Sequence, residues 1–136
     1  SHKVRMDEVS PLKGSKFLVV DHDLSSRDSV SSLIEAWGGM VDKVSLAAEA
    51  LDAVAKGEYQ AVLLDEALEG VDGYELAQII KANHTNDNAR IILTTRKQGA
   101  TEAANQAGAD ACLQKPFDGT RLLELLRTPA GNLSKD

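Results

Sequence analysis

Four short stretches of this chain are apolar at every successive position: Phe17-Leu18-Val19-Val20, Ala61-Val62-Leu63-Leu64, Ile91-Ile92-Leu93 and Ala111-Cys112-Leu113. Successive side chains of a strand point to opposite faces, so a strand with one wet face alternates apolar and polar residues. Runs that do not alternate need cover on both faces, as central strands of a parallel sheet have when helices flank it. A fifth segment, Met40-Val41-Asp42-Lys43-Val44, is more polar and suits an edge.

Helical periods separate the runs. Val30, Leu33, Ile34 and Trp37 follow the i, i+3, i+4, i+7 rule, and Gly38-Gly39 stops that helix. Ala47, Ala50, Leu51 and Val54 repeat the pattern, with Ser45 as N-cap and Gly57 at the end. Leu76, Ile79 and Ile80 make a third stripe, and Ala100, Ala103, Ala104 and Ala107 a small-residue fourth that Gly108 ends. Leu122, Leu125 and Leu126 form the fifth, capped by Asp118 or Thr120. Trp37 and the leucine stripes are expected in the core. The order is strand then helix, five times over, which implies a doubly wound α/β fold. It has a five-stranded parallel sheet, right-handed crossovers and five flanking helices.

A chain of 136 residues fits one domain. The expected organisation is a flexible lead-in over 1–13, a domain over 14–128 and a tail over 129–136, with Ser1-His2 resembling a cloning remnant. A net charge of −6 argues against a nucleic-acid surface, which needs a basic stripe. No apolar run approaches the ~20 residues that span a bilayer, and no signal-peptide pattern opens the chain. The lone Cys112 cannot form an internal disulfide, and a reducing, cytoplasmic setting is expected.

In open α/β sheets functional residues gather beyond the carboxyl ends of the strands. Here those positions hold Asp21, His22 and Asp23 after the first strand, Asp65 after the third, Thr94 and Thr95 after the fourth, and Lys115-Pro116 after the fifth. Carboxylates, a hydroxyl and an ammonium are the parts of a phosphoryl-handling site. A carboxylate can attack phosphorus to give an acyl phosphate, while a divalent metal and a fixed cation neutralise the equatorial oxygens. Lys115 would supply the cation and Thr94 a donor, and first-strand carboxylates would hold a hard metal such as Mg²⁺.

Several stretches resemble the response-regulator receiver family. They are Phe17-Leu18-Val19-Val20-Asp21, Val62-Leu63-Leu64-Asp65 with Val71-Asp72-Gly73-Tyr74-Glu75-Leu76, Ile91-Ile92-Leu93-Thr94, and Ala107-Gly108-Ala109-Asp110-Ala111 leading to Lys115-Pro116-Phe117. The resemblance runs from about Leu12 to Arg127. It implies a flavodoxin-like fold with strand order 2-1-3-4-5, Asp65 as phosphoacceptor, Thr94 as switch hydroxyl and Lys115 as phosphoryl-binding lysine, joined to Pro116 by a cis peptide. It implies Mg²⁺ on Asp21, Asp65 and the Ala67 backbone carbonyl, with His22 or Asp23 as further candidates. It also implies a histidine kinase or histidine phosphotransfer domain as partner, and no enzymatic activity beyond self-catalysed transfer to Asp65. Leu12-Lys13-Gly14-Ser15-Lys16 resembles the lead-in to receivers of hybrid histidine kinases.

The chain also departs from the family pattern. His22 stands where a second acid usually holds the metal, so weaker Mg²⁺ binding is expected. Glu69 replaces a common proline, and Cys112 replaces the usual aromatic switch residue. Each position also has a plainer reading. Asp65 and Asp21 could be loop caps, Lys115 a solvated strand end, Thr94 an ordinary strand residue with Thr95 in its role, and His22 a loop histidine without ligand duty. His84 is expected on a solvated loop. Two readings compete: a competent phosphoacceptor, and a degenerate receiver that serves in protein interaction or ligand sensing. An enzyme on the same scaffold finds little support, since Asp21-His22-Asp23-Leu24 contains no glycine to cradle a nucleotide phosphate.

Overall fold

A computed structural model describes residues 10–83 and 89–127. Its elements run β1 (Lys16–Val20), α1 (Leu24–Ala36), β2 (Met40–Val44), α2 (Ala47–Lys56), β3 (Ala61–Asp65), α3 (Gly73–Ala82), β4 (Arg90–Thr95), α4 (Thr101–Gln106), β5 (Ala111–Gln114) and α5 (Gly119–Arg127). The five strands are parallel in the order β2-β1-β3-β4-β5, as the apolar runs and the resemblance imply. The polar segment Met40–Val44 takes one edge.

The sheet separates two cores. Leu18, Val20, Val62, Leu64, Ile91 and Leu93 pack against α2, α3 and α4. Their alternates Phe17, Val19, Ala61, Leu63 and Ile92 pack against α1 and α5. The period of two along each strand thus decides which helix layer a side chain meets. Leu12, on the lead-in side of the boundary expected at 13, is buried at 2%, and its amide donates to the Trp37 carbonyl. The residues of the lead-in before Ser10, the tail and His84 lie outside the described residues. Among the described residues no helix is long and apolar enough to cross a membrane.

Four helix expectations are corrected. Leu33 and Ile79 were placed in core stripes, yet they are 37% and 42% exposed. The buried sets are Val30, Ser31 and Ile34 in α1, and Gly73, Leu76, Ala77 and Ile80 in α3. At about 100° per residue, a buried position at i+1 centres the covered face near i+4 and swings i+3 outward. Ser31 tolerates that position because its hydroxyl donates to the Arg27 carbonyl at 2.7 Å. In α4 only Ala104 is buried, and Ala103 faces out. Ser45 is not the N-cap of α2. Leu46 occupies that position, and the Glu49 carboxylate instead accepts from the Ser45 and Leu46 amides at 3.2 and 3.1 Å. Asp118 rather than Thr120 caps α5, accepting from the Thr120 amide at 2.8 Å.

Two glycines are required by geometry. Gly38 turns the chain after α1 with φ of +89°, a region closed to most L-residues. At Gly73 a Cβ would lie 2.4 Å from the Asp65 carbonyl oxygen, so the start of α3 can approach the end of β3 only without a side chain.

Candidate functional site

The register Asp65↔Thr94 places the end of β3 beside the end of β4, and Val20↔Leu64 brings the residue after β1 to the same rim. There Lys115, reaching in after β5, sets its ammonium 2.7 Å from Asp65 Oδ1, 2.8 Å from Asp21 Oδ2 and 2.7 Å from Ser26 Oγ. The Thr94 hydroxyl donates to Asp65 Oδ1 at 2.9 Å, and the Ala67 amide donates to Asp65 Oδ2 at 3.0 Å. Asp21 Oδ1 accepts from the Asp23 amide at 2.9 Å, and its carbonyl accepts from Arg27 at 2.8 Å. Asp21, Asp65, Thr94 and Lys115 are all buried. Four separate strand ends therefore deliver one connected polar cluster. The Lys115–Pro116 peptide is cis, as the resemblance implies.

The electrostatics follow from that enclosure. Burial alone would push Lys115 down, but its bonds to Asp21 and Asp65 outweigh it and hold the ammonium above its ordinary value. The centre carries two carboxylates against one ammonium, an excess of negative charge that suits a cation and resists a second anion. A buried ion pair of this kind is costly to break, since the survivor keeps its desolvation without its partner.

The neighbouring candidates take other positions. The Asp23 carboxylate caps α1 by accepting from the Ser26 amide at 2.8 Å. His22 is exposed, its Nδ1 lying 3.7 Å from Glu69 Oε2 on the loop after β3. Two of the three departures from the family pattern, His22 and Glu69, thus lie side by side. Thr95 does not share the Asp65 carboxylate; its hydroxyl donates to Glu66 instead. Cys112 is half-buried, and burial together with the Glu66 charge pushes its thiol up.

Asp21, Asp65 and the Ala67 carbonyl are hard oxygen donors, the kind Mg²⁺ takes while keeping several waters. The buried, negatively charged centre fits such a hydrated ion. Among the described residues no cluster of three or more His, Cys, Asp or Glu side chains is gathered for a metal.

Sequence reasoning missed Ser26, Arg27, Glu66 and Tyr74. For Ser26 a signal existed: with Asp23 as N-cap it lies three residues into the helix, on the turn that faces the strand ends. Glu66 gave none, because a single acid on a loop has no periodicity to place it.

A family model described as the response regulator receiver domain matches residues 17–127. The response regulator MprA of Mycobacterium sp. (strain KMS) is 32% identical over 123 residues, covering 89% of this chain and 53% of the relative. The chain thus spans about half the length of the curated relatives it matches. Among solved structures, the receiver domain of sensor histidine kinase PA1611 from Pseudomonas aeruginosa PAO1, which holds a magnesium ion in its active site cleft, is similar. It superposes with a TM-score of 0.77 at 28% identity, covering 84% of this chain and 95% of that one. The chemotaxis response regulator CheY4 of Vibrio cholerae shares the fold with a TM-score of 0.77 at 24% identity, covering 83% and 96%.

Proposed function

The chain belongs to the response regulator receiver family, and from that premise we propose that Asp65 accepts a phosphoryl group in a two-component phosphorelay. The donor is a phosphohistidine on a histidine kinase or a histidine phosphotransfer domain. The observation that carries the reading is the Lys115 ammonium, held within 2.8 Å of both Asp21 and Asp65 while Thr94 bonds the same Asp65 oxygen.

In the transfer an Asp65 oxygen attacks phosphorus, the new O–P bond forms, and the N–P bond to the donor imidazole breaks. Lys115 and the Ala67 amide hold the carboxylate so that one oxygen presents a lone pair to the pocket mouth. As charge builds on the equatorial oxygens, Lys115 can shift from the Asp65 carboxylate to a phosphoryl oxygen, and the Thr94 hydroxyl can follow. Mg²⁺ held by Asp21, Asp65 and the Ala67 carbonyl would supply further neutralisation of those oxygens. New charge at Asp65 that redraws Thr94 is a switch of the charge-driven kind.

Receiver domains are generally not enzymes, and no activity is proposed beyond this self-catalysed step. The half-length match to response regulators supports a receiving role within a longer protein. The Leu12–Lys16 lead-in and the likeness to a kinase receiver support a hybrid histidine kinase as that protein.

A second reading, a degenerate receiver that acts without phosphorylation, is favoured by one feature: exposed His22 offers no acid where the family has one. Incubation with acetyl phosphate and millimolar Mg²⁺ separates the two. The wild-type chain should gain one phosphoryl increment in intact mass, and Asp65→Asn should gain none. An unmodified wild-type chain after hours would hand the case to the second reading.

A further inference from the structure

Beside the pocket runs a second polar chain that the proposed transfer does not use. The Thr95 hydroxyl, 1% exposed, donates to Glu66 Oε1 and accepts from the Lys97 amide at 2.9 Å. Glu66 Oε2 in turn accepts from the Tyr74 hydroxyl at 3.0 Å. The Glu66 backbone is tied the same way: its amide donates to the Thr94 carbonyl and its carbonyl accepts from the Gly73 amide, both at 2.9 Å. Glu66, next in sequence to Asp65, is therefore bonded at two points to β4 and at two points to the first turn of α3.

Thr94 and Thr95 are joined by one rigid, planar peptide, and their side chains leave β4 on opposite faces. Thr94 shares the face of Ile92, toward α1 and α5, and Thr95 the face of Leu93, toward α3 and α4. A backbone displacement at Thr94 toward charge on Asp65 carries Thr95 with it. On that second face Cys112 offers no ring to respond, whereas Tyr74 is already connected. The Tyr74 ring also borders a cavity of about 420 Å³ that Val71 and Lys97 help to line, so it has room to reorient.

We propose that Glu66 is a positioning residue that passes the state of Asp65 through Thr95 and Tyr74 to the first turn of α3. This rests on the phosphoacceptor reading. The start of α3, rather than α4 and β5, is then the element whose surface changes on activation.

The test uses beryllium fluoride with Mg²⁺ as a phosphoryl mimic, fluorine NMR to detect the bound mimic, and ring-labelled tyrosine as reporter. The chain has two tyrosines, so Tyr59 serves as internal control. In the wild type the Tyr74 ring resonances should shift when the mimic binds, and those of Tyr59 should not. In Thr95→Val the mimic should still bind while most of the Tyr74 shift is lost, and Thr95→Ser should restore it. Glu66→Gln should lose it as well, which keeps the test decisive should the valine variant fold poorly. A full Tyr74 shift in Thr95→Val or Glu66→Gln, or bound mimic with no Tyr74 shift in the wild type, overturns the relay alone. Failure of the wild type to bind the mimic overturns the phosphoacceptor reading and the relay with it.

Discussion

His22 shows how one residue sets the strength of a site it does not build. The carboxylates that remain, Asp21 and Asp65, share Lys115, which cancels part of the negative charge a cation would meet. An imidazole adds none, and a carboxylate at the same position would add both charge and a hard donor. His22→Asp is expected to tighten Mg²⁺ binding by about tenfold or more, equivalent to about 1.4 kcal/mol. Calorimetric titration checks this, and unchanged affinity would show that position 22 is outside the metal's reach. Tyr74 carries a pH signature of its own. Burial, then its bond to Glu66, pushes its phenol from 10.0 to about 12. A raised folded value means its contribution to stability is complete below pH 10.0 and lost as pH rises through about 12. Phenolate absorbance of the wild type minus that of Tyr74→Phe should show a group ionising near 12; a midpoint near 10 would mean the phenol is neither buried nor bonded to Glu66.

Among the elements, α1 presents the surface best placed for a donor. Leu24 is 62% exposed and Leu33, swung off the core stripe, 37% exposed. Leu33, Ser25, Ser26 and Ser29 of α1 line a groove of about 350 Å³ together with Phe117, Arg96 and Lys115. Lys115 links this groove to Asp65 at 2.7 Å, so a helix from a phosphohistidine domain is expected to dock there. Leu33→Asp should slow transfer from such a domain by about tenfold or more, the scale of one interface anchor, and leave phosphorylation by acetyl phosphate unchanged. Stopped-flow transfer measurements distinguish the two donors, and equal loss with both would place Leu33 in the fold rather than in docking. The same residue marks where sequence reasoning stopped. A stripe of Val30, Leu33 and Ile34 says that a helix is amphipathic, but the buried position at Ser31, invisible as a polar residue, decides which flank is covered. In α3 the small Ala77 did the same to Ile79. For α2, Ser45 had the right chemistry for an N-cap, and Glu49 reaching back displaced it by one residue.

At the scale of the molecule, the sheet and the site rim were legible because unbroken apolar runs and strand ends are local in sequence. Asp21, Asp65, Thr94 and Lys115 could be nominated from position alone. What joined them, and what joined Glu66 to Thr95, is the register of β3 on β4, which no local pattern contains. A buried Arg90 was likewise unforeseen. It lies at 0% exposure with its guanidinium on the carbonyls of Leu125 and Leu126 at the end of α5. Carbonyls in the last turn of a helix have no amide four residues further on within it, and a cation from β4 satisfies these two. The central claim is that this scaffold directs one nucleophile, the Asp65 carboxylate, to phosphorus. Borohydride reduction of the chain after exposure to a phosphohistidine donor, followed by peptide mass analysis, reads it directly, because reduction turns an aspartyl phosphate into homoserine. Homoserine at position 65 and nowhere else is the expected result; homoserine at Asp21 or another acid, or none at all under conditions that phosphorylate a known receiver, would contradict it.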